Sequence, residues 1–87
     1  MERRDAPEEA VSPGLNPLRP EEVIRALERG GFFVKRQTGS HVILYKPGLQ
    51  RSITVPMHSR ALPIGTQRAI IRQAGLTIEE FLELVQT

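Results

Sequence analysis

Two adjacent side chains in this sequence are suited to proton transfer, Ser40 and His41, and they follow the tight polar run Gln37-Thr38-Gly39. An imidazole changes charge near neutral pH, which makes histidine the commonest general acid or base in enzymes. Both histidines, His41 and His58, lie in a long stretch without a carboxylate. Between residues 29 and 78 the charged side chains are Arg29, Lys35, Arg36, Lys46, Arg51, Arg60, Arg68 and Arg72, with no Asp or Glu among them. The whole chain carries a formal charge of only +2, so the cationic excess is local. Ordinary surfaces interleave both signs. A stretch of one sign fits a polyanion as partner, and a titratable ring set into it fits chemistry on that polyanion.

Other chemistries suit these residues less well. No Asp or Glu follows Ser40 and His41 before Glu79 to complete a hydrolase triad, and no strand-to-helix elbow holds the serine. Two histidines without a nearby Cys, Asp or Glu fall short of the usual metal-ligand count, and two-metal nuclease sites are built from carboxylates. No metal or other cofactor is therefore expected. His41 also has a structural reading: by alternation it shares a strand face with Ile43 and Tyr45, as a partly buried histidine with a satisfied ring would. Its place just past a glycine turn, at a strand end, speaks for function instead.

The elements that must position these groups can be read from the pattern of apolar residues. Pro20 suits the first turn of a helix, Glu21 and Glu22 favour its positive end, Val23, Ile24 and Leu27 form an apolar stripe, and Gly30-Gly31 stops it. Residues 32–37 read as a strand rich in aromatic and branched side chains. Thr38-Gly39 reads as a turn that uses the freedom of glycine at positive φ. Residues 40–46 form the second strand, residues 47–50 another turn, and residues 51–55 a third strand stopped by Pro56. A second helix spans residues 63–74, begun either with Pro63 in its first turn or with Gly65 as its cap. Its first N–H groups have no carboxylate nearby. In the third helix Thr77-Ile78-Glu79-Glu80 is a capping box, and Ile78, Phe81, Leu82 and Val85 recur at helical spacing.

The order helix, strand, strand, strand, helix, helix predicts an α+β domain, a three-stranded antiparallel sheet with helices on one face, which is the topology of double-stranded-RNA-binding domains. With 87 residues and no cysteine, one small domain buries only about 60% of its unfolded-chain surface and has no disulfide to reinforce it. Residues 1–19 mix charge with Pro7, Pro13 and Pro17 and show no apolar periodicity, so they read as a disordered proline-rich tail before a domain at residues 20–87. A charged start and the lack of any long apolar run predict no signal peptide, no membrane partner and a cytoplasmic address.

At this point several motifs resemble one family in its own order: Phe32-Phe33-Val34-Lys35-Arg36-Gln37-Thr38-Gly39-Ser40-His41, then Ile53-Thr54-Val55-Pro56-Met57-His58, then Leu62-Pro63-Ile64-Gly65-Thr66 and Ile71-Arg72-Gln73-Ala74-Gly75-Leu76. These look like the HicA family of mRNA interferase toxins, over residues 20–84. The resemblance implies a fold like that of double-stranded-RNA-binding domains, ribonuclease activity on mRNA, and neutralisation by a cognate HicB-type antitoxin. It also implies that His41 is the catalytic histidine. Residues 1–19 precede the family pattern.

RNA supplies its own nucleophile in the 2′-OH, so the expected mechanism is metal-independent, with His41 as general base toward that hydroxyl or as general acid at the leaving 5′-oxygen. Lys35, Arg36, Lys46 and Arg51 are expected to hold phosphates from the strands, with Ser40 beside the histidine. Arg68, Arg72 and the start of the second helix would do so from another side. His58, in a loop bracketed by Pro56 and Pro63, is the candidate for an accessory proton transfer. The alternatives are a non-catalytic module that recognises structured RNA by shape, or a regulatory domain that binds only protein.

Overall fold

In a computed structural model the described residues are 15–57 and 60–87. Helix α1 (Pro20–Arg29) starts where the Glu22 carboxylate accepts a hydrogen bond from the Arg19 N–H at 2.9 Å, and it buries Pro20, Val23, Ala26 and Leu27. Ile24 sits at the margin of that stripe, half-buried. The helix ends as expected: Gly31 adopts φ +99°, and the Gly31 and Phe32 N–H groups return to the carbonyls of Glu28 and Leu27. That 6→1, 5→2 closure turns Phe32 into the core.

Strands β1 (Phe33–Gln37), β2 (His41–Tyr45) and β3 (Ile53–Pro56) form an antiparallel sheet in the order β1-β2-β3. Val42 and Leu44 of β2 and Ile53 and Val55 of β3 are buried, while His41 and Tyr45 are exposed. Period-two alternation thus seals one face of the sheet and leaves the other to solvent. Helix α1 lies on the sealed face against β1 and β3, and helix α2 (Ile64–Gln73) joins it against β3. Helix α3 (Ile78–Gln86) packs on α1 and α2 and contributes Phe81 to the core that the strands share. It opens on the expected capping box: the Thr77 hydroxyl accepts from the Glu80 N–H at 3.0 Å, and the Glu80 carboxylate accepts from the Thr77 N–H at 2.9 Å. Its Phe81 is fully buried. The α+β class and the element order are those predicted from the sequence.

Two local expectations change. Pro63 is neither in the first turn of α2 nor followed by a Gly65 cap; it is itself the cap residue, with extended ψ of 146°. A proline in that place sets φ for the approach and removes an N–H that has no helical partner. The second difference concerns residues 15–19, which the sequence reading assigns to the tail. Leu15 and Leu18 pack against the core. The Leu62 N–H donates to the Leu18 carbonyl at 2.8 Å, the Leu18 N–H donates to Gln67 Oε1 at 2.9 Å, and Gln67 Nε2 donates to the Asn16 carbonyl at 3.0 Å. Gln67 is the buried polar residue of α2, with no exposed surface. Its amide has both a donor and an acceptor to satisfy, and the approaching backbone supplies the complement. The remainder of that tail, residues 1–14, lies outside the described residues.

Gln67→Ala removes both partners at once and leaves the Leu18 N–H and the Asn16 carbonyl unpaired. It is expected to lower stability by about 1–3 kcal/mol, read as a shifted urea midpoint with unchanged slope. An unchanged midpoint would mean that residues 15–19 do not dock through this amide.

Candidate functional site

The histidine is aimed by a turn built on one threonine. The Thr38 N–H donates to the His41 carbonyl at 2.8 Å, and Thr38 Oγ1 accepts from the His41 N–H at 3.0 Å and from the Ser40 N–H at 3.3 Å. The same hydroxyl lies 3.2 Å from the His41 carbonyl, to which it can donate. Hydroxyls of this kind substitute for backbone partners in tight turns. The glycine expected to use its left-handed freedom here does not: Gly39 is absent from the positive-φ glycines, and a Cβ built on it would meet nothing within 4 Å. The turn depends on Thr38.

His41 opens β2 opposite Pro56 of β3, and the Met57 N–H extends the pairing by donating to the Ser40 carbonyl at 2.8 Å. The ring is exposed, so the partly buried structural reading does not apply. Its Nδ1 lies 2.9 Å from Ser40 Oγ, and Nε2 has no partner among the described residues. A hydroxyl can donate or accept, so Ser40 supports either neutral tautomer of the ring. When Nδ1 carries the proton, Nε2 presents a lone pair; when Ser40 donates to Nδ1, Nε2 presents an N–H.

The expected cations separate into groups. Arg36 pairs with Ile43 on the open face, one step along from His41. The β1–β2 register shifts between Val34 and Arg36, so Lys35 is the extra residue of a bulge. A bulge re-aims the side chain that it inserts. Lys35 lines a shallow recess of about 480 Å³ with Tyr45, Leu49, Gln50, Arg51 and Ser52, at the end of the sheet away from His41. Arg51 is there too. Lys46 faces the other way, its ammonium 5.6 Å from the centroid of the buried Phe32 ring in a cation–π contact. Arg29 is also engaged elsewhere: its guanidinium donates to the carbonyls of Leu84 and Val85 at 2.8 and 3.3 Å, capping the negative end of α3. Arg68 and Arg72 belong to α2, in the helix layer, with Arg68 half-buried and Arg72 exposed. The structure brings Ser40, His41 and Arg36 together, continues that face to Lys35 and Arg51, and leaves Lys46, Arg68 and Arg72 off it. His58 lies outside the described residues.

Sequence reasoning missed Phe33. Its ring is 5.7 Å from that of Tyr45 across the β1–β2 ladder, tilted by 39°, on the same open face as His41. The alternation that places Tyr45 with His41 would have placed Phe33 as well, had the bulge at Lys35 been visible. Among the described residues no three His, Cys, Asp or Glu side chains gather as a metal ion requires, and no helix is long and apolar enough to cross a membrane.

Comparison with known proteins adds one match. The family model described as the HicA toxin of bacterial toxin-antitoxin matches residues 20–76, from the first residue of α1 to just past the end of α2. No curated protein matches the chain.

Thr38→Val keeps the shape of the side chain and removes the hydroxyl. It is expected to cost about 1 kcal/mol and to shift the amide resonances of Ser40 and His41, whereas Gly39→Ala leaves the unfolding midpoint nearly unchanged. A midpoint lowered by Gly39→Ala and untouched by Thr38→Val would reverse this account of the turn.

Proposed function

On the footing that this chain belongs to the HicA toxin family, the toxins of bacterial toxin–antitoxin pairs, we propose that it cleaves mRNA with His41 as its proton-transfer group. The observation that carries the reading is the setting of that ring: exposed, held through Nδ1 by Ser40, and placed on a sheet face without carboxylates. In the reaction the 2′-oxygen forms a bond to phosphorus, the bond from phosphorus to the 5′-oxygen breaks, one proton leaves the 2′-OH and one reaches the 5′-oxygen. With Nδ1–H donating to Ser40, Nε2 of His41 takes the first proton as the neutral imidazole or gives the second as the imidazolium, and solvent carries the other proton. Arg36, adjacent on the open face, stabilises the charge that builds on the phosphorane oxygens. Lys35 and Arg51 hold phosphates further along the strand. Lys46 supports the platform from behind through Phe32, and Arg68 and Arg72 reach only an RNA that wraps around the end of the sheet.

No step requires a metal, because the substrate brings its own nucleophile. The family implies a cognate antitoxin; a HicB-type partner with an acidic surface would complement the open face and cover His41. Action on mRNA places the protein in the cytoplasm.

His41→Ala is expected to lower the cleavage rate of a single-stranded transcript by about 10²–10⁴-fold while leaving the melting temperature close to native, since the ring is exposed. Ser40→Ala, which frees the ring but keeps it, should lose less. Native cleavage should persist in excess chelator and yield 2′,3′-cyclic phosphate or 3′-phosphate ends with free 5′-OH. Ends bearing a 5′-phosphate, or activity that returns only with Mg²⁺, would overturn the mechanism. RNA binding without cleavage would leave a recognition module.

A further inference from the structure

Four large apolar side chains are exposed among the described residues, and two contacts join three of them at one end of the open sheet face: the Phe33 ring lies 5.7 Å from the Tyr45 ring, and Tyr45 and Leu49 line one recess. Phe33 is 54% exposed and Tyr45 42%, far more than either needs for packing. The two rings lie opposite each other in the β1–β2 ladder. Leu49 is carried to them by the turn after β2, closed by its N–H on the Lys46 carbonyl at 3.0 Å, with Gly48 at φ +95°. Lys35, bulged out of β1, and Arg51 line the recess beside Tyr45 and Leu49, and Phe33 adjoins it through its contact with Tyr45. No acidic residue lies on any of the three strands or in the turns between them.

We propose that Phe33 and Tyr45 form a base-stacking subsite for single-stranded RNA, with Lys35 and Arg51 on the flanking phosphates. The inference rests on the cleavage reading of His41 and adds a second contact to the same strand. Aromatic rings exposed on a sheet and rimmed by cations are how unpaired bases are held, because every base has a stacking face and every linkage a charge. His41 and Tyr45 are four residues apart on one strand and on the same face, which separates them by about 13 Å. The stacked base is therefore not the one beside the cut but lies a few nucleotides away. The cationic rim favours RNA over an apolar protein partner, for which a patch edged by two unneutralised cations is a poor match. The subsite selects for substrate that is single-stranded over this interval, since a base in a duplex has no free face to offer.

The chain has one tyrosine and no tryptophan, so its intrinsic emission reports on Tyr45 alone. Single-stranded RNA oligonucleotides of graded length, added to the His41→Ala protein, are expected to quench that emission once they are long enough to span from His41 to Tyr45. With the native protein, KM should fall by about tenfold or more as the substrate is lengthened past that point. Tyr45→Leu should lose that length-dependent gain, and Tyr45→Phe should keep it, which a merely structural cross-strand role would not predict. Oligonucleotides that bind and are cut but leave the emission unchanged would overturn the subsite. So would a full length-dependent gain in Tyr45→Leu, or quenching by the antitoxin and not by RNA. Quenching by RNA in a protein that cuts none would support the subsite and refute His41 cleavage, so the two readings fail separately.

Discussion

The register of β2 is the constraint on which the rest depends. Val42 and Leu44 are sealed against the helices, and in a strand with period two this forces His41, Ile43 and Tyr45 to the other side. A slip of one residue would bury an imidazole and a phenol and expose two aliphatic side chains. The apolar core therefore sets the direction of the open face that carries His41. The same seal explains why that face stays open: α1 and α2 cover only the inner side, and α3 stacks on them.

The thin core is also why several polar groups serve structure. Arg29 caps α3, Lys46 sits over Phe32, and Gln67 ties residues 15–19 to α2. Two of these three are cations from the acid-free stretch. The field offered to a polyanion is thus narrower than the sequence count suggests, concentrated on Lys35, Arg36 and Arg51 around one sheet face. Long-range attraction depends on all the charges, whereas positioning depends only on those that face the ligand.

Much of this was legible in the sequence because it rests on local rules. The Gly31 stop, the Thr77–Glu80 capping box and the alternation of β2 each follow from a few neighbouring residues. What was not legible depends on distant partners. Nothing local announces that Gln67 will satisfy two backbone groups roughly fifty residues away. The bulge at Lys35 is invisible until β2 is laid beside β1, and with it the pairing of Phe33 with Tyr45. The turn at residues 38–41 misled in a different way: glycine is the usual reason for a tight turn, and here a threonine hydroxyl does the work. The site was legible as residue types, a histidine among cations, but not as a surface, because which cations face His41 is a tertiary fact.

The central claim is that the open face of this sheet lets RNA cut itself, with His41 moving the proton. The most direct measurement replaces a single 2′-hydroxyl by hydrogen at the mapped cut site of an otherwise unmodified oligonucleotide. The account predicts that the protein binds this substrate as well as the parent and leaves that linkage intact. Cleavage of the deoxy linkage at a rate close to the parent's would contradict it, since the attack would then come from water or from the protein and not from the RNA.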